Sequence, residues 1–447
     1  MTMKKTKRQD LDPSENRSPV SRKNGKTEWR KGALHTHSLW SDGRSLPQVA
    51  VQTYKDLGYN FMCVSEHNVF PDEELWLPVA REVGKWPCNL SQSAFDHARE
   101  LVPGTLVSKK ISFRNYVRLP KFKELRKMFN EKGKFILVPG EEITVGTITC
   151  KDGSQYQNHF NIFNAAAYFP PLSGATPEES LKLNFAQYQQ KCGSAPEKSF
   201  FTVNHPHARL WDTDPMLLID HPEITHFEIC NCDSLLPCAH IFTPDKFWDF
   251  ILAHRIDRGH KIIYAIASDD AHYYQDAAGT RCGPNAAWVM VNCPGRLTPG
   301  RLAEAMNRGD FYATCGVELE NIDFNQDSKK LSVKVKPEKD VDYRISFIVT
   351  KKNFDRGIVY KDYPGKEKRY SRRLPVIPRG IGRTALAVSG TEGSYTLKEN
   401  DLYVRAVIVS DKNTRIKGYG FPKTMCAWTQ PFLPLHGQDL QFEINTK

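Results

Sequence analysis

The 447-residue chain has no apolar run approaching the roughly 18 residues of a membrane span. Its first 31 residues also lack the apolar segment of a secretory signal. Membrane and secretory readings drop out on that basis, and a cytoplasmic location is expected. A disulfide framework is missing as well. The eleven cysteines, at positions 63, 88, 150, 192, 230, 232, 238, 282, 293, 315 and 426, are odd in number and show no framework spacing. Several fall inside apolar runs, where thiols pack as small hydrophobes, so a reducing compartment is expected. Cys230, Cys232 and Cys238 have a zinc reading, but no second pair lies at finger-like spacing, and thiols are the preferred one. A broad basic surface is absent too. Residues 1–31 hold ten Lys or Arg against four Asp or Glu, a net +6 of the chain's +11. That polar stretch reads as a disordered basic tail. With no aromatic-basic groove elsewhere, nucleic acid is not an expected partner.

What is present fits a globular chain of more than one domain. Apolar and charged fractions of 40% and 25% are ordinary, and the length exceeds one usual domain. From about residue 33, short β-rich apolar runs alternate with helical stretches, which predicts parallel strands joined by helices. Residues 46–57 read as a helix, with Pro47 near its start and Gly58 after its end. Further runs occupy residues 59–65, 135–138, 158–163, 200–203, 225–231, 262–267 and 287–291, with helices expected over 244–258 and 299–308. Residues 69–133 form an excursion longer than a connection requires and are read as an insertion or lid.

The ends of these runs carry the chemistry. A strand through Leu34-His35-Thr36-His37 points both histidines to one face, and the following turn carries Asp42 toward them. Neutral imidazole and carboxylate are the usual ligands of a divalent transition metal. Later runs end in Glu66-His67-Asn68, in Glu141-Glu142, in Asn204-His205-Pro206-His207 and in Asp269-Asp270-Ala271-His272, and His159 lies within the run 158–163. Since neighbours on a strand face opposite ways, only one of Glu141 and Glu142 reaches a centre, and Glu142 is the choice. In a closed barrel of parallel strands the loops after the strands meet on one face. One metal site there would account for His35, His37, Asp42, His67, Glu142, His159, His205, Asp270 and His272 together. His207 and Arg209 are candidates to hold a phosphate or protonate a leaving oxygen.

After about residue 317 the pattern changes to alternating segments such as 331–336, 343–349 and 402–409, which read as half-buried strands of a β-sandwich. The expected organisation is therefore a tail (1–31), a barrel (32–316) with its insertion (69–133), and a C-terminal β-domain (317–447).

Taken in order, His35-x-His37 with Asp42, Glu66-His67-Asn68, Gly140-x-Glu142, His159, His205-Pro206 and Asp270-x-His272 resemble the motifs of the polymerase and histidinol phosphatase (PHP) superfamily. The resemblance spans roughly residues 32–316. It implies a distorted (β/α)7, TIM-like barrel holding two or three divalent ions, zinc, manganese or iron. Carried over, it implies that His35, His37, Glu142 and Asp270 hold one ion, Glu142, His159 and His205 a second, and Asp42, His67 and His272 a third. The sequence departs from the family in having Glu66 where an Asp usually precedes the motif-two His. The activity implied is phosphoesterase or phosphatase chemistry on a small phosphorylated substrate, with water activated by the metals. The segment Cys426-Ala427-Trp428-Thr429-Gln430-Pro431-Phe432 resembles the end of a β-domain found in carbamate- and aryl-ester-hydrolysing relatives, which keeps such esters as an alternative. A non-catalytic binding protein retaining the barrel is the third reading, and no expected ligand is missing to favour it. Oligomeric state has no signal in the sequence.

Overall fold

The computed structural model describes residues 27–80, 90–193, 195–206, 213–231, 243–275, 283–365, 367–414 and 422–434. Seven strands build the first half: β1 (Trp29–Ala33), β2 (Phe61–Val64), β3 (Ile136–Thr149), β4 (Gln155–Phe163), β5 (Phe200–Val203), β6 (His226–Asn231) and β7 (Tyr264–Ser268). They lie side by side in chain order. Helices between them start where the sequence supplies a cap and a proline. Thr176, Thr243 and Thr298 each accept a backbone N–H from three residues on, and Pro177, Pro244 and Pro299 follow at the first helical position. The helix Pro47–Asp56 ends before Gly58, whose φ of +75° a residue with a side chain would resist.

Two features differ from the expected closed barrel of parallel strands. β4 runs antiparallel to both β3 and β5, because the tight turn at 150–154 makes β3 and β4 a hairpin. The hydrogen-bonded ladder is also open, since β7 and β1 are not paired as strands. Their extensions meet at one parallel bridge between Thr36 and Ala271, with His37 N–H donating to Ala271 O at 3.0 Å. The sheet continues on the β1 side through strands Trp288–Asn292 and Phe311–Thr314, both antiparallel. β1 itself starts at Trp29, so residues 29–31 of the expected tail belong to the sheet.

The excursion over 69–133 is folded. Strands Trp76–Ala80, Leu90–Ser91, Val107–Ile111 and Arg114–Arg118 form a small sheet, accompanied by helices Gln92–Leu101 and Phe122–Phe129. Its apolar side, including Leu77, Phe95 and Leu125, packs in one cluster with Trp40, Val49 and Tyr54. Trp40 Nε1–H also donates to Pro120 O at 3.1 Å.

Past residue 317 the expected β-rich character is present, but no break in the sheet falls there. Phe311–Thr314 pairs with Thr424–Thr429, and the same sheet runs on through Asp401–Asn413, Tyr343–Lys351 and Arg383–Ser389. A second sheet, Leu319–Asn325 with Lys330–Val335 and Glu392–Thr396, packs across it through Phe324, Leu331 and Val333 against Ile345, Phe347 and Val404. The two halves are also locked by a buried ion pair. Arg405 donates to Asp249 through Nε (2.8 Å) and Nη2 (2.7 Å), Tyr403 donates to the same carboxylate at 2.7 Å, and the guanidinium lies over Trp248. No helix among the described residues is long and apolar enough to cross a membrane.

Removing one partner of a buried pair strands the other charge away from water. Arg405→Met is therefore expected to destabilise the protein by about 3–5 kcal/mol, measured by urea unfolding. Arg405→Met combined with Asp249→Leu should cost less than the single change.

Candidate metal centre

The ends of the strands are held in place by the same ladders that build the sheet. Beyond β1, Thr36 N–H donates to Ser65 Oγ at 2.9 Å and Thr36 Oγ1 to Cys63 O at 2.7 Å, so His35 and His37 point together into the interior. His67 bridges Glu142 in parallel register, with Asn68 N–H donating to Glu142 O at 2.9 Å. His205 (φ +30°) and Asp270 (φ +50°) adopt the left-handed backbone that L-residues resist, which turns each side chain inward where its strand stops. Such conformations cost on the order of 1–3 kcal/mol each and persist only where their surroundings enforce them.

All nine expected metal ligands converge. His35 Nε2 lies 3.1 Å from Glu142 Oε2 and 3.3 Å from Asp270 Oδ1, and His37 Nε2 lies 3.2 Å and 3.0 Å from the same two atoms. Four ligand atoms at about 2.0–2.1 Å around a tetrahedral metal sit about 3.3–3.4 Å apart. The observed spacing thus comes close to that of a tetrahedral shell. These four atoms are buried and lack a hydrogen-bond partner of good geometry. Glu142 Oε1 faces His159 Nδ1 at 3.1 Å and His205 Nε2 at 3.7 Å. Asp42 Oδ1 lies 3.1 Å from His272 Nε2 and 3.5 Å from His67 Nε2. Three groups could each hold an ion: His35, His37 and Glu142; His67, Glu142 and His159; and His37, Asp42, His67 and His272. His37 and His67 are thus shared between groups, where the family resemblance gave each to one ion. His207 and Arg209 lie outside the described residues.

The electrostatics ask for positive charge. Burial opposes charge on His37, yet the nearby Asp270 and Glu142 carboxylates push its pKa up to about 10. Burial likewise opposes charge on Glu142, but the His35 and His67 imidazoles hold its carboxyl well below the ordinary range. Protons here stand in for cations among buried carboxylates. His159 behaves differently. Burial brings it down to about 4, the neutral form a metal requires.

Around this group lies a set of supporting residues that the sequence reading did not single out. Glu228, fully buried on β6, accepts from His35 Nδ1 at 2.9 Å, His205 N–H at 2.8 Å, Asn231 Nδ2 at 2.8 Å and Ser268 Oγ at 2.5 Å. It fixes the His35 ring so that Nε2 faces the centre. Asn204 donates to Glu142 Oε1 at 2.9 Å, and Thr144 Oγ1 meets His67 Nδ1 at 2.5 Å. The departure at Glu66 has a structural role of its own: its carboxylate accepts Ser38 N–H at 3.0 Å and the hydroxyls of Ser38 and Ser41, holding the turn that presents Asp42. Glu141 faces away, as alternation requires, and accepts Phe169 N–H at 2.8 Å. The sequence signal that could have found Glu228 is an acid in the middle of an apolar strand, where burial demands partners.

Glu228→Gln should keep the fold and weaken metal binding by about 10–100-fold, read by competition titration with a chromophoric chelator. An unchanged affinity would mean that His35 needs no orienting partner.

Solved structures similar to the chain include three described as metal-dependent phosphoesterases or an amidohydrolase. One is a two-domain protein containing a predicted PHP-like metal-dependent phosphoesterase from Bacteroides vulgatus, at 15% identity over 91% of this chain and 96% of that one, with a TM-score of 0.37. Another, a provisionally assigned metal-dependent phosphoesterase from Bifidobacterium adolescentis, is 10% identical over 63% of this chain and 98% of that one, with a TM-score of 0.31. The third is an amidohydrolase from Chromobacterium violaceum with bound sulfate and no metal, 12% identical over 54% and 87%, with a TM-score of 0.25. No protein-family model matches the sequence, and no curated protein matches it.

Proposed function

We propose that the protein is a metal-dependent phosphoesterase that hydrolyses a small phosphate ester at a centre of two or three divalent ions. The observation that supports this reading best is the set of buried, unpartnered atoms His35 Nε2, His37 Nε2, Glu142 Oε2 and Asp270 Oδ1 at mutual distances close to the spacing of a coordination shell. Glu142 offers its other oxygen toward His159 and His205, so one carboxylate can serve two neighbouring ions. Asp42, His67 and His272 form the outer group, where Asp42 is more exposed to solvent and to an arriving substrate.

Bound divalent ions would supply a lowered pKa to a coordinated water and charge neutralisation to phosphate oxygens. The chain's own residues set up both. Of the nine expected ligands Asp42, Glu142 and Asp270 are the carboxylates, so two or three dications would carry more positive charge than their ligands offset, which favours an anionic substrate. The neutral imidazoles add no charge that would offset it. His207 and Arg209, two and four residues beyond His205, are proposed to contact the phosphate or to protonate the leaving oxygen.

Zinc-, manganese- or iron-loaded protein is expected to hydrolyse p-nitrophenyl phosphate, to lose that activity on chelation and to regain it on metal return. Turnover of a naphthyl carbamate with no turnover of mono- or diester phosphates would replace this reading with that of a non-phosphate esterase. Absence of bound or required metal would remove both.

Arg209→Ala should raise KM for the phosphorylated substrate roughly tenfold, the size of one charge-assisted hydrogen bond, with a smaller effect on kcat. An unchanged KM would take Arg209 out of the site.

A further inference from the structure

Away from the metal centre, three thiols crowd the seam where the barrel sheet joins the C-terminal strands. Cys315 and Cys426 are 2% and 4% exposed, and their Sγ atoms are 3.4 Å apart. They stand opposite one another at the end of an antiparallel ladder. Thr314 pairs with Ala427, Cys315 N–H donates to Cys426 O at 2.9 Å, and Cys426 N–H donates to Cys315 Sγ at 3.3 Å. Hydrogen-bonded antiparallel neighbours have Cα atoms about 5.5 Å apart, the commonest separation across a disulfide. Cys230, on β6, is the third thiol and also interacts with Cys315.

Cys315 also borders a cavity of about 360 Å³ lined by Lys31, Glu318, Lys336, Glu338 and Lys412. Burial opposes ionisation of Cys315, but hydrogen bonds with Cys230 and Cys426 draw it well below its ordinary pKa. Cys315 Sγ accepts Cys426 N–H at 3.3 Å, which favours charge on that sulfur and makes Cys315 the nucleophile and Cys426 the resolving thiol.

We propose that Cys315 and Cys426 form a reversible disulfide on reaction with a hydroperoxide, stapling strand Phe311–Thr314 to strand Thr424–Thr429. The Cys315 thiolate attacks a peroxide oxygen, the O–O bond breaks, and a sulfenic acid forms with release of water or an alcohol. Cys426 then attacks that sulfur, and the hydroxyl leaves as water carrying the Cys426 proton. Two thiols lose two electrons and two protons, and the peroxide takes up both. The resulting link closes a chain segment of more than a hundred residues, which constrains the unfolded state strongly.

The test uses the full-length protein treated with a few equivalents of hydrogen peroxide, alkylated under denaturing conditions and digested without reductant. Mass spectrometry should find a Cys315–Cys426 linked peptide, and the thermal midpoint should rise by several degrees and fall back with dithiothreitol. Cys315→Ser and Cys426→Ser should each abolish both effects, while Cys230→Ser should keep them. Full alkylation of Cys315 and Cys426 after peroxide would overturn the proposal. So would a linked peptide joining Cys230 to Cys315, or oxidation of Cys315 to the sulfinic acid with no cross-link.

Discussion

A carboxylate with no access to water is the constraint on which the site depends. Glu142 is fully buried, Asp270 nearly so, and leaving either charged without compensation would cost several kcal/mol. The chain answers with imidazoles from four strand ends and from His159 within β4, and with donors such as Asn204 and Asn231. Those donors leave Glu142 Oε2 and Asp270 Oδ1 unsatisfied, and both are aimed at the same two histidines. Buried acids with unfilled acceptor positions favour positive charge at that point, from protonated imidazole or from a bound cation. The strain accepted at His205 and Asp270 has the same origin, because only those backbone turns deliver the side chains to the common point.

Much of this was legible in the sequence because metal ligands are chemically narrow and strand ends are easily marked. His-x-His after an apolar run, and Asp-x-His after another, put polar groups where a strand stops. Alternation was enough to choose Glu142 over Glu141. The antiparallel course of β4 was less accessible, since an apolar run gives a strand but not its direction. Only the short turn after Cys150 specified it. β1 was extended into the expected tail by Trp29, whose indole N–H reaches Glu320 O at 3.1 Å and whose ring packs edge-on to Tyr312, both nearly three hundred residues away. Glu228 was passed over because its partners, Ser268, Asn231 and the backbone of His205, come from segments that only the tertiary fold brings together.

The open ladder explains why the C-terminal strands are attached so firmly. β7 carries Asp270 and His272 at its end but presents an unpaired edge, and unpaired backbone groups cannot remain buried without partners. Gln430 supplies them. Its Oε1 accepts Ala265 N–H at 3.1 Å and its Nε2 donates to Ala265 O at 2.9 Å, which copies with one side chain the pairing a further strand would give. Gln430 in turn follows the strand that pairs with Phe311–Thr314. The β-domain thus completes the barrel's open side, and the Arg405–Asp249 pair grips the helix leading into β7. The position of two proposed ligands therefore depends on residues more than a hundred positions further along the chain. A division of this protein at residue 317 is expected to uncover the β7 edge that Gln430 now covers, next to the turn that carries Asp270 and His272.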